Sequence, residues 1–266
     1  MAYLPPGKFA INDTINVSGT DFWFEGSGYG TMLAANTEHW TNLDAPMIKV
    51  GCVNGVTIGN MQAEPSGTNE SVVKTIQMSK CDTSLGLRAG ARKNGAAGRA
   101  PLAGPQLLIL DGFFGSDSVD KQPGVLLEGL ELGDTVHALH LDGGLRISNS
   151  SDATVLANFH CGQVLQIDDA VSGRRGQVVQ LVRVSSAAFP VINIENSLSA
   201  VILDHYHEGT GTFMQLRGPA PKGKHPGSVS VSNPKLNVGG SSGAPLVVLH
   251  DFDGALAHTS TGAGYS

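Results

Sequence analysis

A chain of 266 residues that is 41% apolar and only 15% charged carries enough hydrophobic material for one large domain or two small ones. Its net charge of −6 and pI near 5.8 leave no basic stripe to follow phosphates, which argues against nucleic acid as a partner. No apolar run reaches the ~20 residues of a membrane span, and the 35 glycines follow no collagen period, so many corners and few helices are expected.

The first segment, Leu4 to Leu33, sets the pattern. A Pro5-Pro6-Gly7 turn opens it. Phe9, Ile11, Ile15 and Val17 then share one parity, a period of two that predicts a strand. Ser18 to Asp21 read as a turn, Phe22 to Glu25 as a second strand, and Gly26, Gly28 and Gly30 as a corner before Thr31, Met32 and Leu33 resume. Strand, turn, strand, glycine corner, strand is one coil of a β-solenoid.

Later segments repeat this grammar. Met47 to Glu64 forms a unit with an Asn54-Gly55 turn, and Val73 to Met78 begins another. Leu107 to Leu110, Val125 to Leu127, Leu145 to Ile147, Gln163 to Ile167, Val178 to Val184 and Val191 to Ile194 continue the series. Leu127, Ile147, Ile167 and Ile194 end comparable strands at spacings of 20, 20 and 27 residues, with the extra length placed in an enlarged turn at Ser172 to Gly176. Such spacing predicts stacked coils whose loops vary while their strands keep register. Two stretches break the rhythm, a glycine- and alanine-rich loop at 88–105 and a basic, proline-rich loop at 219–226; the whole chain, 1–266, reads as one domain.

The three cysteines, Cys52, Cys81 and Cys161, are odd in number, widely spaced and without a CxxC pair. They read as buried free thiols, with neither a disulfide framework nor a zinc site. The N-terminus has no basic and apolar leader, so no secretory signal is read.

The stretch YLPPGKFAINDTINV followed by FEGSGYGTML resembles the opening coil of the right-handed parallel β-helix proteins of the pectate lyase-like superfamily. The likeness covers most of the chain as a rhythm and about 35 residues as a motif. It implies an all-β, single-stranded right-handed parallel β-helix of about nine or ten coils. Relatives place a helical cap before the LPPG strand, so the resemblance implies that the N-terminal cap is missing or that the chain is a fragment of a longer protein. It further implies a carbohydrate-active, extracellular or secreted protein, a glycoside hydrolase or polysaccharide lyase, with a polysaccharide or oligosaccharide as partner. No cofactor is implied, other than calcium if the reaction is a β-elimination. The alternative is a non-catalytic glycan-binding or structural module, tailspike-like or adhesin-like, forming a homo-oligomer such as a trimeric stem.

Aligning coils on Leu127, Ile147 and Ile194 puts His140, His160 and His207 thirteen residues further on, with Arg183 near the same place in the expanded coil. Histidines with Asp204 and Glu208 nearby are candidates for acid and base catalysis of glycosidic cleavage. Arg183, Asp142, Asp111 and Phe114 are candidates for substrate binding: the arginine for a uronate carboxylate, the ring for stacking on a sugar. The same histidines in strand alternation are equally read as stacked interior groups, and Phe113-Phe114 as a plug of the core. Paired carboxylates for hydrolysis are sought among Asp111, Asp117, Asp120, Asp168, Asp169, Asp204 and Glu208, with Asp168 and Asp169 read as turn residues. Zinc held by the three histidines is the weaker reading, and no metal is assigned.

Overall fold

The computed structural model describes residues 1–36, 38–40, 44–64, 75–79, 106–114, 124–130, 134–142, 145–148, 154–159, 165–168, 178–182, 185–186, 192–195, 199–203, 206–208, 214–217, 228–232, 235–237, 247–252 and 255–259. Among them regular structure is strand, apart from a single 3-10 turn, Gly28–Gly30, and every strand pairing is parallel. Strands distant in sequence lie side by side, because each coil stacks on the one before it. The fold is a parallel β-helix.

Register shows this most directly. Val17, Val50, Met78, Leu127, Ile147, Ile167, Ile194, Leu216 and Leu249 form one continuous column of Cα partners. The alignment expected for Leu127, Ile147, Ile167 and Ile194 is therefore correct, and it extends in both directions. A second column runs through Phe24, Ile58, Leu110, Ala138, Ala157, Leu181, Ile202 and Val231. A third joins Phe9, Leu33, Ala63 and Phe114. In later coils the same place in the chain order is taken by a separate three-stranded sheet, Ser185–Ser186, Tyr206–Glu208 and Lys235–Asn237.

These columns are the core. Val50, Met78, Leu127, Ile147, Ile58, Leu110, Ala63 and Phe114 are wholly buried, so the period of two inside each strand becomes an apolar stack along the coil axis. At the last described rungs the same positions change character: Val247, Leu249 and Leu256 are exposed, although their partners Met214, Leu216 and Val229 are buried.

The strand Ile48–Glu64 displays how a coil turns. Its 17 residues pair successively with Ile15–Thr20, Trp23–Glu25 and Thr31–Ala35, so a single ribbon wraps three faces. The bends fall at residues with left-handed backbone: Cys52 at φ 52°, Gly55 at 71° and Asn60 at 52°. Gly55 and Asn60 are each the extra residue of a register shift against Leu107–Phe114. The expected Asn54-Gly55 turn is thus a bulge, and the chain bends there without reversing. A Cβ on Gly55 would also meet Asp21 Oδ1 at 2.8 Å.

Three local expectations differ from the structure. The alternating run from Phe9 to Val17 is two strands, Gly7–Ile11 and Ile15–Thr20, on different faces. The corner between them is supported by Asp13 Oδ1, which accepts the Thr14 N–H at 2.6 Å, and by Thr14 Oγ1, which donates to the Pro46 carbonyl at 2.7 Å. The turn expected at 18–21 narrows to Asp21 at φ 51°, because strand pairing continues through Thr20. Asp168, read as a turn residue, instead ends the strand Leu165–Asp168, between Ser148 and Glu195 in register.

Cys52 corrects the reading of the cysteines as free thiols, for it is disulfide-bonded. Sequence spacing could not show this, because the corner at Cys52 and the stacking of coils decide which sulfurs meet. Cys81, Cys161 and the loops 88–105 and 219–226 lie outside the described residues.

Coils are also tied by buried polar groups. Gln106 and Asp134 are almost fully buried at one corner. The Gln106 N–H donates to Asp134 Oδ1 at 2.8 Å, and its Nε2 donates to Asp134 Oδ2 and to the Ser79 carbonyl, both at 3.3 Å. Gln106 Oε1 accepts the Val53 N–H at 3.4 Å. One amide side chain thereby links segments from successive coils.

Candidate functional site

The opening LPPG segment and the GSGYGT corner are fastened together. Thr31 is fully buried, and its Oγ1 accepts the Ser27 N–H at 2.8 Å while lying 3.0 Å from the Pro5 carbonyl as donor. Ser27 Oγ also bonds the Tyr3 hydroxyl. This corner, held from within, turns Tyr29 outward on the 3-10 turn, where it is 61% exposed. The Tyr29 carbonyl accepts Gln62 Nε2 of the next coil at 2.8 Å, which fixes the turn against its neighbour.

Beside Tyr29 a shallow groove of about 110 Å³ crosses three coils, lined by Gly28, Tyr29, Asn60, Met61, Asp111 and Gly112. Its floor is backbone. A Cβ on Gly59 would lie 2.7 Å from the Asp111 carbonyl oxygen, and one on Gly112 would lie 2.6 Å from that of Met61. Only glycine lets the coils approach so closely here. Asn60, the extra residue of the bulge, is exposed, and Asp111 is half-buried; both line the groove. The result is an aromatic face, an amide and a carboxylate above a glycine floor.

The register relates Asp111 to residues of neighbouring coils. Glu25, Gly59, Asp111 and His140 occupy one column, so Asp111 and His140 are Cα partners on adjacent coils. Leu139, 48% exposed, is the extra residue of a bulge in Thr135–Asp142 at the same corner. A parallel column on the same sheet holds Trp23, Thr57, Ile109 and His137, with Trp23 52% exposed and His137 exposed.

The expected histidine column takes a different form. Ala138 pairs with Ala157, but Leu141 pairs with Phe159, because the bulge at Leu139 consumes one more residue in this coil than in the next. Counting thirteen from the aligned leucine and isoleucine therefore overshoots: Phe159 is already level with Leu141, past His140. His207 stands in the three-stranded sheet, where its partners are Ser186 and Leu236, and Glu208 pairs with Asn237. Asp142 is the partner of Phe113. His160, Arg183, Asp204, Asp117, Asp120 and Asp169 lie outside the described residues. Phe114 is fully buried beside Ala63 in register, so it packs the core and offers no face to a sugar; the plug reading of this residue is the correct one.

Among the described residues, Asp111 and His140 are thus the candidates that stand as Cα partners on adjacent coils. Tyr29, Asn60 and Trp23 were missed. The signal was present for Tyr29, since an aromatic flanked by corner glycines has no core to enter. Asn60 had no such signal, for its exposure depends on a bulge set by the neighbouring coil. Among the described residues no group of three or more His, Cys, Asp or Glu is placed to hold a metal ion. No protein-family model, curated protein or solved structure matches the chain.

Proposed function

We propose that this parallel β-helix belongs with the pectate lyase-like superfamily and binds a polysaccharide across its coils at the Tyr29 groove. The observation that carries this reading is the exposed tyrosine beside Asn60 and Asp111 over a backbone floor. An aromatic face with adjacent amide and carboxylate acceptors suits a ring that is apolar on its faces and hydroxylated at its edges. At about 110 Å³ the groove holds one edge of a sugar, and Trp23 on the same sheet extends the contact along a polymer. The Cys52 disulfide supports an extracellular or secreted setting, where such bonds persist.

Binding to a polysaccharide panel tests this. Tyr29→Ala should weaken binding about two- to tenfold, the equivalent of ~0.5–1.5 kcal/mol for a lost aromatic contact, with the melting curve unchanged. Unaltered affinity in the folded variant would rule out the groove.

Cleavage of the bound polymer is the second reading, favoured by the register of Asp111 and His140, ~4.8 Å apart along the ladder. Hydrolysis by two carboxylates would need a partner for Asp111, the one carboxylate among the described residues lining the groove. Reducing-sugar release together with absorbance of unsaturated products separates the cases. Release alone indicates hydrolysis and both signals indicate elimination; loss of either in His140→Ala would assign the pair to the chemistry.

A further inference from the structure

We infer that the groove selects neutral, hydroxyl-rich glycans and disfavours polyuronates and sulfated polymers; this rests on the glycan-binding reading and specifies its substrate class. The argument is one of charge placement. Among the described residues lining the groove, Tyr29 brings a phenol, Asn60 an amide and Asp111 the one carboxyl group, while Met61 is a core residue. Glu25 stands two rungs away on the same column and adds a second negative charge, ~10 Å distant by strand spacing.

The described lysines and arginines stand on other columns. Lys8 is opposite Met32, Lys49 opposite Asn16 and Gln77, and Arg146 opposite Leu126. Arg217 is opposite Glu195, and Lys235 opposite Tyr206. A uronate laid across Tyr29 would bring its own carboxylate beside Asp111, with no lysine or arginine on that column among the described residues, inside a molecule of net charge −6. Like charges ~4 Å apart repel by about 1 kcal/mol even in water, and by more where protein excludes solvent. A neutral sugar instead donates its hydroxyls to Asp111 and to the Asn60 carbonyl oxygen, both of which accept.

An oligosaccharide array tests the inference, with each neutral oligomer printed beside its C6-oxidised counterpart and read at pH 8, where an ordinary histidine is neutral. The native protein should favour the neutral member of a pair about fivefold or more. Asp111→Asn should bring the ratio toward one, and Asp111→Lys should invert it. The isosteric Asn variant keeps the test meaningful if the Lys variant does not fold. Equal or tighter binding of the oxidised member by the native protein overturns the charge selection and leaves glycan binding standing, as does an unchanged ratio in folded Asp111→Asn. Silence across all pairs overturns the glycan-binding reading and this inference with it.

Discussion

A single methyl group at Gly59 or Gly112 is more than this corner can accept. The ideal Cβ at each position falls within 2.7 Å of a backbone oxygen on the adjacent coil, and backbone cannot rotate away as a side-chain tip would. Gly112→Ala should therefore cost ~1–3 kcal/mol, the usual range for overpacking, read as a lower denaturation midpoint. The same substitution should weaken glycan binding, since the groove floor is the surface that must shift. Cys52 makes a different prediction at the same scale. Its disulfide is a covalent tie at a left-handed corner, so reduction, or Cys52→Ser, should lower stability by ~2–4 kcal/mol, measured with and without reductant. A chain equally stable in both conditions would show that the bond constrains nothing. At the residue scale the legible signals are local ones, such as Tyr29 flanked by Gly28 and Gly30, although Tyr29 was not singled out from the sequence. Cys52 was misjudged because a sulfur's partner is chosen by stacking, and no spacing rule covers it.

Among the elements, strand identity was more legible than strand ends. Leu127, Ile147, Ile167 and Ile194 were aligned correctly because an interior column must be apolar at every rung, and one slipped residue would turn it to solvent. Leu139 shows where that logic stops. A bulge adds a residue without breaking the alternation on either side, so a count made from the preceding strand runs out of step at the corner, where the candidate histidines lie. The buried Gln106–Asp134 pair illustrates how such corners are held. Asp134→Ala removes the acceptor of both the Gln106 N–H and its Nε2 within a buried site. An unmet buried donor costs ~1–3 kcal/mol, so the variant should unfold at correspondingly lower denaturant, with Asp134→Asn intermediate because its carbonyl oxygen still accepts.

For the whole molecule, stability is distributed coil by coil. Each rung of the core touches chiefly the rungs above and below it, so a cavity is felt locally. Ile147→Ala, in the wholly buried first column, should cost ~2–5 kcal/mol. In hydrogen exchange its effect should be strongest at the neighbouring strands Val125–Glu128 and Leu165–Asp168, and fade toward Ile48–Glu64. Uniform deprotection along the chain would instead mark the solenoid as one cooperative block. The fold class was readable from glycine content and period alone, because a coil repeats its own solution. The number of residues between rungs was not: Met78 and Leu127 are partners 49 residues apart, whereas Leu127 and Ile147 are 20 apart. Excursion length adds only logarithmically to the entropy of closing a loop, so nothing in the ladder constrains it.

The parallel pairing of the described strands has a mechanical corollary. Bonds between successive coils point along the axis of the stack, so a load applied along that axis pulls each rung directly away from the next. Tension would open the ladder one coil at a time, starting at a terminus and releasing slack with each step. In an optical trap, with the Cys52 disulfide reduced, that gives a sawtooth of small, similar forces, its step lengths following the uneven chain between rungs, and the longest release accompanies the segment between Met78 and Leu127. A molecule built this way is stiff against bending across its coils and yields gradually when drawn out lengthwise.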